Sequence, residues 1–401
     1  MQDSCMLQAI LHALELHTVP EAFTDTHPNA SLGPGQRAGP HPGRDPVVDG
    51  PDFNQYLDAI YRTNDPHRVP VGELFVEDII ARQLSEGPID YDDHGMTLRG
   101  MRVFLETHRV LGFDAVTVGV GPGFELPEWA MTTDVAPLSK GQRGFVTGGA
   151  SRIWDRASFE AYPWPSPEQV DYTPLERASK AMPDGMAILG SVGGPCEWLM
   201  WIMGYETLSL ALADDPELVS DVVDCIERQM LAVFRHVAAM ERVGAMWISD
   251  DMGFRTGTFL SPAHMRAYVL PTQRRLAAAA HAEGIPVLLH SCGNLTAIMD
   301  DLIDDVGIDA KHSFEDVITP VTEAKRLWGH RVCLIGGVDL DPLTRLSPEE
   351  VYRYTLGILE KCAPGGGYIL GTGNSVANYV PIPNYLSMLQ AWRDWHVTSA
   401  T

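Results

Sequence analysis

Along the chain, short apolar runs that end in polar residues alternate with longer stretches whose apolar positions recur every three or four residues. The first pattern is that of a buried parallel strand, the second that of an amphipathic helix. Strands are predicted over 67–74 (HRVPVGEL), 114–120 (DAVTVGV), 186–192 (MAILGSV), 244–250 (GAMWISD), 285–291 (IPVLLHS), 308–314 (IDAKHSF), 332–338 (VCLIGGV) and 368–373 (YILGTG). Pro70 is a weak point in the first, because proline cannot donate to a ladder. Helices are predicted over 53–61, 76–84, 100–110, 197–211, 215–241, 295–306, 321–328 and 383–395. Two more announce their starts: Ser261-Pro262 opens one that runs to Glu283, and Ser347-Pro348-Glu349-Glu350 caps one that runs to Cys362. Eight strands with helical crossovers predict an α/β fold of the (β/α)8 barrel type. A doubly wound open sheet is the alternative, weakened because no G-x-G-x-x-G follows an early strand.

The rhythm fails in two places. Residues 1–60 hold a short helical pattern over 5–16, a Pro/Gly/His-rich tract over 20–50 and the helix at 53–61, which together read as an N-terminal arm with helices. Residues 61–401 form the barrel, interrupted by an insertion over about 121–185 between the second and third strands. Its stretch 141–172 is rich in Gly, Trp, Tyr and Pro, and is expected to cover the barrel mouth or to build a homodimer surface.

Composition narrows the function classes. With 53 acidic against 29 basic residues and a formal charge of −24, the chain is a poor partner for nucleic acid, which needs Lys and Arg against phosphate. No apolar run reaches the roughly 20 residues of a membrane span. No charged-then-apolar leader opens the sequence, so no membrane attachment or secretory signal is expected. Six scattered cysteines in a chain of 401 residues fit free thiols and a cytoplasmic location better than a disulfide framework.

In a barrel the C-terminal strand ends share one mouth. Collected there are Glu73, Asp250, Asp251, His290, Cys292, His312, Glu315, Asp339, Thr372 and Asn374. His290 and Cys292 are two apart at the end of a strand, so an imidazole and a soft thiolate face the same way, half of a zinc site. A lone H-x-C is also often just a buried, hydrogen-bonded pair. Glu315, one strand later, is the expected third metal ligand. His312 competes with it, or serves as a catalytic group or a hydrogen-bonding neighbour. One of Asp250 and Asp251 is expected to face the cavity and to contact substrate or handle a proton. Asp339 reads equally as a helix-start acceptor. Gly193-Gly194-Pro195 and Gly371-Thr372-Gly373-Asn374 leave room for a ligand or cofactor to approach the backbone, or are tight turns.

Around LLHSCGN, the sequence resembles the uroporphyrinogen decarboxylase superfamily, most closely its branch of cobalamin-dependent methyltransferases. Further marks are DDMGFRTGTFLSP over 250–262, IGGVD over 335–339 and the terminal GTGN. The resemblance covers roughly residues 60–397 and implies a (β/α)8 barrel. It implies zinc held by the H-x-C histidine and cysteine, here His290 and Cys292, with a later cysteine near the last strand. That cysteine would fall at about Thr372, a departure from the pattern. A glutamate some twenty residues past the H-x-C cysteine serves in related thiol methyltransferases and matches Glu315. The implied reaction moves a methyl group between a small ether, thioether, amine or thiol and a corrinoid. No D-x-H-x-x-G is present to ligate cobalt, so the corrinoid is expected on a separate carrier protein. The decarboxylase reading is the alternative, but nothing reproduces the arginine-rich segment of those enzymes near the start. A barrel that binds a corrinoid or tetrapyrrole without turning it over is the non-enzymatic alternative.

Overall fold

The computed structural model describes residues 50–63, 68–125, 129–133, 142–146 and 151–399. The arm expected over 1–49, with its helical pattern at 5–16, lies outside them. Seven parallel strands form one curled sheet: β1 (Ala115–Gly119), β2 (Ala187–Ser191), β3 (Val243–Ser249), β4 (Val287–His290), β5 (Ala310–His312), β6 (Cys333–Ile335) and β7 (Tyr368–Ile369). Each strand pairs with its neighbours in sequence, the order of a barrel built from successive βαβ units. Each overlaps one of the expected strands.

The eighth expected strand, at 67–74, appears as a single bridge. Val71 pairs parallel to Leu370, with Gly72 N donating to Leu370 O at 2.8 Å and Leu370 N to Pro70 O at 2.8 Å. On the other side, Thr117 Oγ1 of β1 donates to Glu73 O at 3.2 Å. The segment therefore lies between β7 and β1 and curls the sheet toward a (β/α)8-like barrel. Pro70 has no N–H to extend the ladder, which is why pairing stays local.

Strand alternation sends one set of residues inward. Ala115, Leu189, Ala245, Trp247, Leu288, Ala310, Cys333, Ile335 and Ile369 fill the barrel interior together with Tyr56, Ala59 and Ile60. Those last three belong to the helix Phe53–Tyr61, which therefore plugs the barrel. A Cβ on Gly244 would sit 2.2 Å from the ring of Phe53, so the glycine is what lets the plug seat. The opposite strand faces pack on the outer helices in one continuous apolar cluster.

Several helices depart from the pattern read in the sequence. The stretch 197–211 is two helices, Pro195–Met203 and Tyr205–Asp214, broken at Gly204 with φ 73°. The stretch 295–306 is a 3-10 turn, Thr296–Ile298, followed by a wide π turn, Asp301–Val306. Thr173–Ala181 and Leu340–Arg345 are helices that apolar periodicity did not reveal. The insertion contributes an antiparallel hairpin, Trp129–Thr133 with Gln142–Val146. Farther on it docks against the helix Pro195–Met203, whose Ile202 carbonyl accepts from both Arg152 N (2.7 Å) and Ile153 N (3.1 Å). Phe124 bridges Trp164 of the insertion to Trp198 of that helix, with ring centroids 6.1 and 5.0 Å apart. Among the described residues, no helix is long and apolar enough to cross a membrane.

Asp114, fully buried just before β1, ties the plug in place. Its Oδ1 accepts from Asp52 N at 2.8 Å and from Arg68 Nη2 at 2.6 Å. Asp52 is itself the cap of the plug helix. Replacing Asp114 with Ala leaves Arg68, whose side chain is 11% exposed, without this counter-charge. The expected cost is roughly 3 kcal/mol, as for breaking other buried pairs. It would be read as a lower urea midpoint at unchanged slope. A variant as stable as the parent would show that the plug is held elsewhere.

Candidate metal centre

β4 and β5 run parallel in register, with His290 opposite His312, and His290 is opposite Ser249 of β3 on its other side. All three continue inward-facing sets, so their side chains meet at the top of the barrel interior. Beyond His290 the chain turns sharply through Gly293, where φ is 84° and a Cβ would collide with Gly253. Cys292, two residues past His290 and just before that turn, shares its face, with Sγ 3.8 Å from Nε2. Asp251, following β3, completes the group with Oδ1 3.5 Å from His290 Nε2. One donor atom from each of Asp251, His290 and Cys292 lies within 4.8 Å of the others.

The spacing fits a tetrahedral cation. Metal–donor lengths of about 2.0–2.3 Å put neighbouring donors on a tetrahedral zinc about 3.3–3.8 Å apart. The imidazole–carboxylate distance, 3.5 Å, falls within that range and the imidazole–thiol distance, 3.8 Å, at its upper end. The donor chemistry also suits zinc: one sulfur, one nitrogen and one hard oxygen. Three protein ligands leave the fourth position of a tetrahedron for substrate or water, the habit of catalytic sites.

The surroundings hold these groups in place. Asp251 Oδ1 accepts from Cys292 N at 2.7 Å, locking the cysteine turn to the end of β3. Burial raises the Asp251 carboxyl, but hydrogen bonds and charge from His290 and the bonds from Cys292 outweigh it and take it down to about 2. Burial, reinforced by Asp251, pushes the Cys292 thiol well up in the metal-free protein. Asn374 Nδ2 donates to Cys292 Sγ at 2.9 Å. His290 Nδ1 lies 2.8 Å from His312 Nδ1, and His312 Nε2 lies 3.3 Å from the Thr372 carbonyl. Burial, then the neighbouring His290 and Lys311, hold His312 well below the usual imidazole range.

The structure sorts the residues expected at the mouth. His290, Cys292 and Asp251 come together, with Asn374 and His312 hydrogen-bonded to them. Glu315, expected as the third ligand, is not in the group. After His312 the chain leaves the strand for a turn closed by Ile318 N and Thr319 N on the Glu315 carbonyl, both at 2.9 Å. Glu315 lines a cavity of about 30 Å³ with Lys311, Thr296 and Trp328. Asp251 stands in the group instead. Asp250 is fully buried, and both its oxygens are engaged: Oδ1 by Glu197 N (2.9 Å), Oδ2 by Cys196 N (3.2 Å) and Gln273 Nε2 (2.7 Å). It anchors the start of the helix Pro195–Met203 to β3. A Cβ on Gly194 would lie 2.0 Å from Asp250 Cβ, so that glycine makes room for the aspartate. Gly193, with φ 86°, lets the turn pass the indole of Trp198. Asp339 is a helix-start acceptor, receiving Asp341 N at 2.8 Å and Asp316 N at 2.6 Å. Thr372, where a cysteine was implied, turns its hydroxyl to Glu73 Oε2 at 2.6 Å.

Two residues of the site were not singled out in the sequence. Lys311 is buried behind the strand ends, donating to the carbonyls of Ser291 (3.0 Å), His312 (2.6 Å) and Ser313 (3.2 Å), and burial pushes it down to about 8. Its signal was a lysine inside an otherwise buried strand. Glu197 accepts a hydrogen bond from the Asp251 main chain; burial, then Asp251 and Asp250, raise its carboxyl well above the usual range.

The family profile described as Uroporphyrinogen decarboxylase (URO-D) matches residues 101–395. The chain belongs to that family. A uroporphyrinogen decarboxylase from Nitrosospira multiformis is 22% identical over 286 residues, covering 68% of this chain and 69% of the relative. Among solved structures, a methyltransferase from Methanosarcina mazei superposes with a TM-score of 0.65 at 18% identity, covering 85% of this chain and 97% of that one. That likeness is one of fold.

The site makes a discriminating forecast for metal uptake. Cys292→Ala and Asp251→Ala should each weaken Zn²⁺ binding at least ~100-fold, more than the loss of an outer hydrogen-bond partner. Glu315→Ala should bind as the parent does. Equilibrium dialysis with elemental analysis reads both, and loss of zinc in the Glu315 variant alone would reverse the assignment.

Proposed function

We propose that the protein is a zinc-dependent methyltransferase, moving a methyl group between a small ether, thioether, amine or thiol and a corrinoid carried by a separate protein. The observation behind this reading is the Asp251–His290–Cys292 group at the mouth of a barrel of this family. The Methanosarcina mazei structure, by its description a methyltransferase, is consistent with methyl transfer on this fold.

Bound zinc would act as a Lewis acid on the substrate's oxygen, sulfur or nitrogen, stabilising the charge left there when the methyl departs. His290 Nε2, Cys292 Sγ and Asp251 would hold it, with the substrate heteroatom at the remaining position. Asp251 and Cys292 as anions offset two positive charges, leaving the site neutral overall. Asn374 keeps the sulfur oriented through its amide. Lys311 ties together the main-chain carbonyls at the adjoining ends of β4 and β5, so the ligands do not drift as the substrate enters. Such pre-orientation is the chain's main lever, because the difficult chemistry belongs to the corrinoid.

Methyl transfer would leave the electron pair of the broken C–X bond on the heteroatom held beside Asp251, His290 and Cys292, and a reduced corrinoid on the carrier would supply the pair that takes the methyl. A carrier protein has to reach the mouth for this. Phe75, Phe254 and Val317, on loops that follow barrel strands, are exposed by 49%, 52% and 63% and offer apolar contact around it.

The test mixes the zinc-loaded protein and reduced free cobalamin with methyl ethers, thioethers and amines, following methylcobalamin by absorbance. At least one class should react. Cys292→Ala should slow it by about 100-fold or more, the loss of several kcal/mol of Lewis-acid stabilisation. No spectral change with any class, or full activity in metal-free protein, would overturn the proposal. Proton-consuming loss of CO₂ from a tetrapyrrole carboxylate would favour the decarboxylase reading.

A further inference from the structure

His312 is fully buried at the end of β5. Its ring is clamped. The indole of Trp247 meets it edge-on with centroids 5.6 Å apart, and a Cβ on Gly336 would lie 2.9 Å from its Cδ2 and 3.0 Å from its Nε2. Its two nitrogens face different partners. Nε2 points at the main-chain carbonyl of Thr372, 3.3 Å away, and Nδ1 at His290 Nδ1, 2.8 Å away.

A carbonyl can only accept, so the proton on His312 belongs on Nε2. A neutral imidazole then has a lone pair on Nδ1, and a second proton there would bury an unpaired charge. The short contact to His290 needs one proton between the two Nδ1 atoms, and His290 has to supply it. Neutral His290 therefore carries its proton on Nδ1 and a lone pair on Nε2. That is the nitrogen 3.5 Å from Asp251 Oδ1 and 3.8 Å from Cys292 Sγ.

We propose that His312 is a positioning residue. By accepting the Nδ1–H of His290 it selects the tautomer whose Nε2 is ready to bind a cation beside Cys292 and Asp251. The inference rests on the metal reading above for its purpose, but not for its geometry. The relay has an outer anchor. Thr372 is held through its N–H and hydroxyl by the buried carboxyl of Glu73, at 3.0 and 2.6 Å, so its carbonyl is fixed toward His312. Four strand ends thus set the state of one nitrogen: those bearing Glu73, Thr372, His312 and His290. Partners that orient a metal-bound histidine in this way are commonly worth 10–100-fold in affinity.

Two variants and one spectrum test this. His312→Phe keeps much of the ring volume and removes the acceptor, whereas His312→Asn keeps an acceptor near the position of Nδ1. Titrating Co²⁺ into each metal-free protein, with circular dichroism to confirm folding, reads affinity through the thiolate charge-transfer band. The Phe variant should bind about 10–100-fold more weakly, and the Asn variant should recover most of the loss. Parent affinity in a folded Phe variant would overturn the inference. Independently, ¹⁵N NMR of His290 in the metal-free parent, at a pH where it is neutral, should show a protonated Nδ1 and an unprotonated Nε2. The reverse assignment would overturn the proposal even if the Phe variant failed to fold. A parent that took up no Co²⁺ would sink the metal reading, while the tautomer would still be decided by the spectrum.

Discussion

Three atoms with lone pairs converge at the top of this barrel, and that convergence is the constraint around which the rest is arranged. One donor atom from each of His290, Cys292 and Asp251 lies within 4.8 Å of the others, on partly or fully buried side chains, with His290 Nε2 3.5 Å from Asp251 Oδ1 and 3.8 Å from Cys292 Sγ. With Nε2 unprotonated, the three repel unless a cation sits between them. The proton that burial keeps on the Cys292 thiol relieves this in the metal-free protein, and a metal displaces that proton on binding. Keeping the donors together against their repulsion takes a rigid frame. The parallel register that sets His290 opposite His312, the Gly293 turn over Gly253 and the Asp251–Cys292 hydrogen bond provide it.

The frame is fixed from both ends of the barrel. At the far end, Tyr56, Ala59 and Ile60 complete the interior packing and Asp114 ties the plug to β1. Near the mouth, Asp250 anchors the helix Pro195–Met203 and Lys311 gathers the carbonyls of Ser291, His312 and Ser313. A buried lysine on three carbonyls is costly to desolvate and is lowered to about 8 in consequence. Its cost is offset by holding two strand ends at one height. The adjacent aspartates thus serve different purposes: Asp250 supports the scaffold, and Asp251 faces the chemistry.

Much of this could be read from the residues alone. The strand rhythm was clear because parallel strands buried on both faces are nearly pure apolar runs, and each of β1–β7 lies where such a run was found. His290 and Cys292 were legible because residues two apart share a face. The same alternation, carried from Ala245 through Trp247 and Ser249, already points Asp251 inward and Asp250 outward. Glu315 was chosen by its distance along the chain, and a turn after His312 takes it elsewhere, a feature no periodicity encodes. The break at Gly204 and the wide turn at Asp301–Val306 were missed because helical apolar spacing runs straight through both. The pairing of His312 with His290 depends on register between two strands, which sequence spacing within one strand does not fix.

The proposed chemistry depends on which atoms surround a bound metal ion. X-ray absorption at the zinc edge of the reconstituted protein measures them directly. It should show one sulfur at about 2.3 Å and nitrogen and oxygen neighbours at about 2.0–2.1 Å, as a Cys–His–carboxylate site requires. A shell of nitrogen and oxygen alone, with no sulfur, would mean that Cys292 does not bind the ion and that the centre described at the barrel mouth is not the one the protein uses.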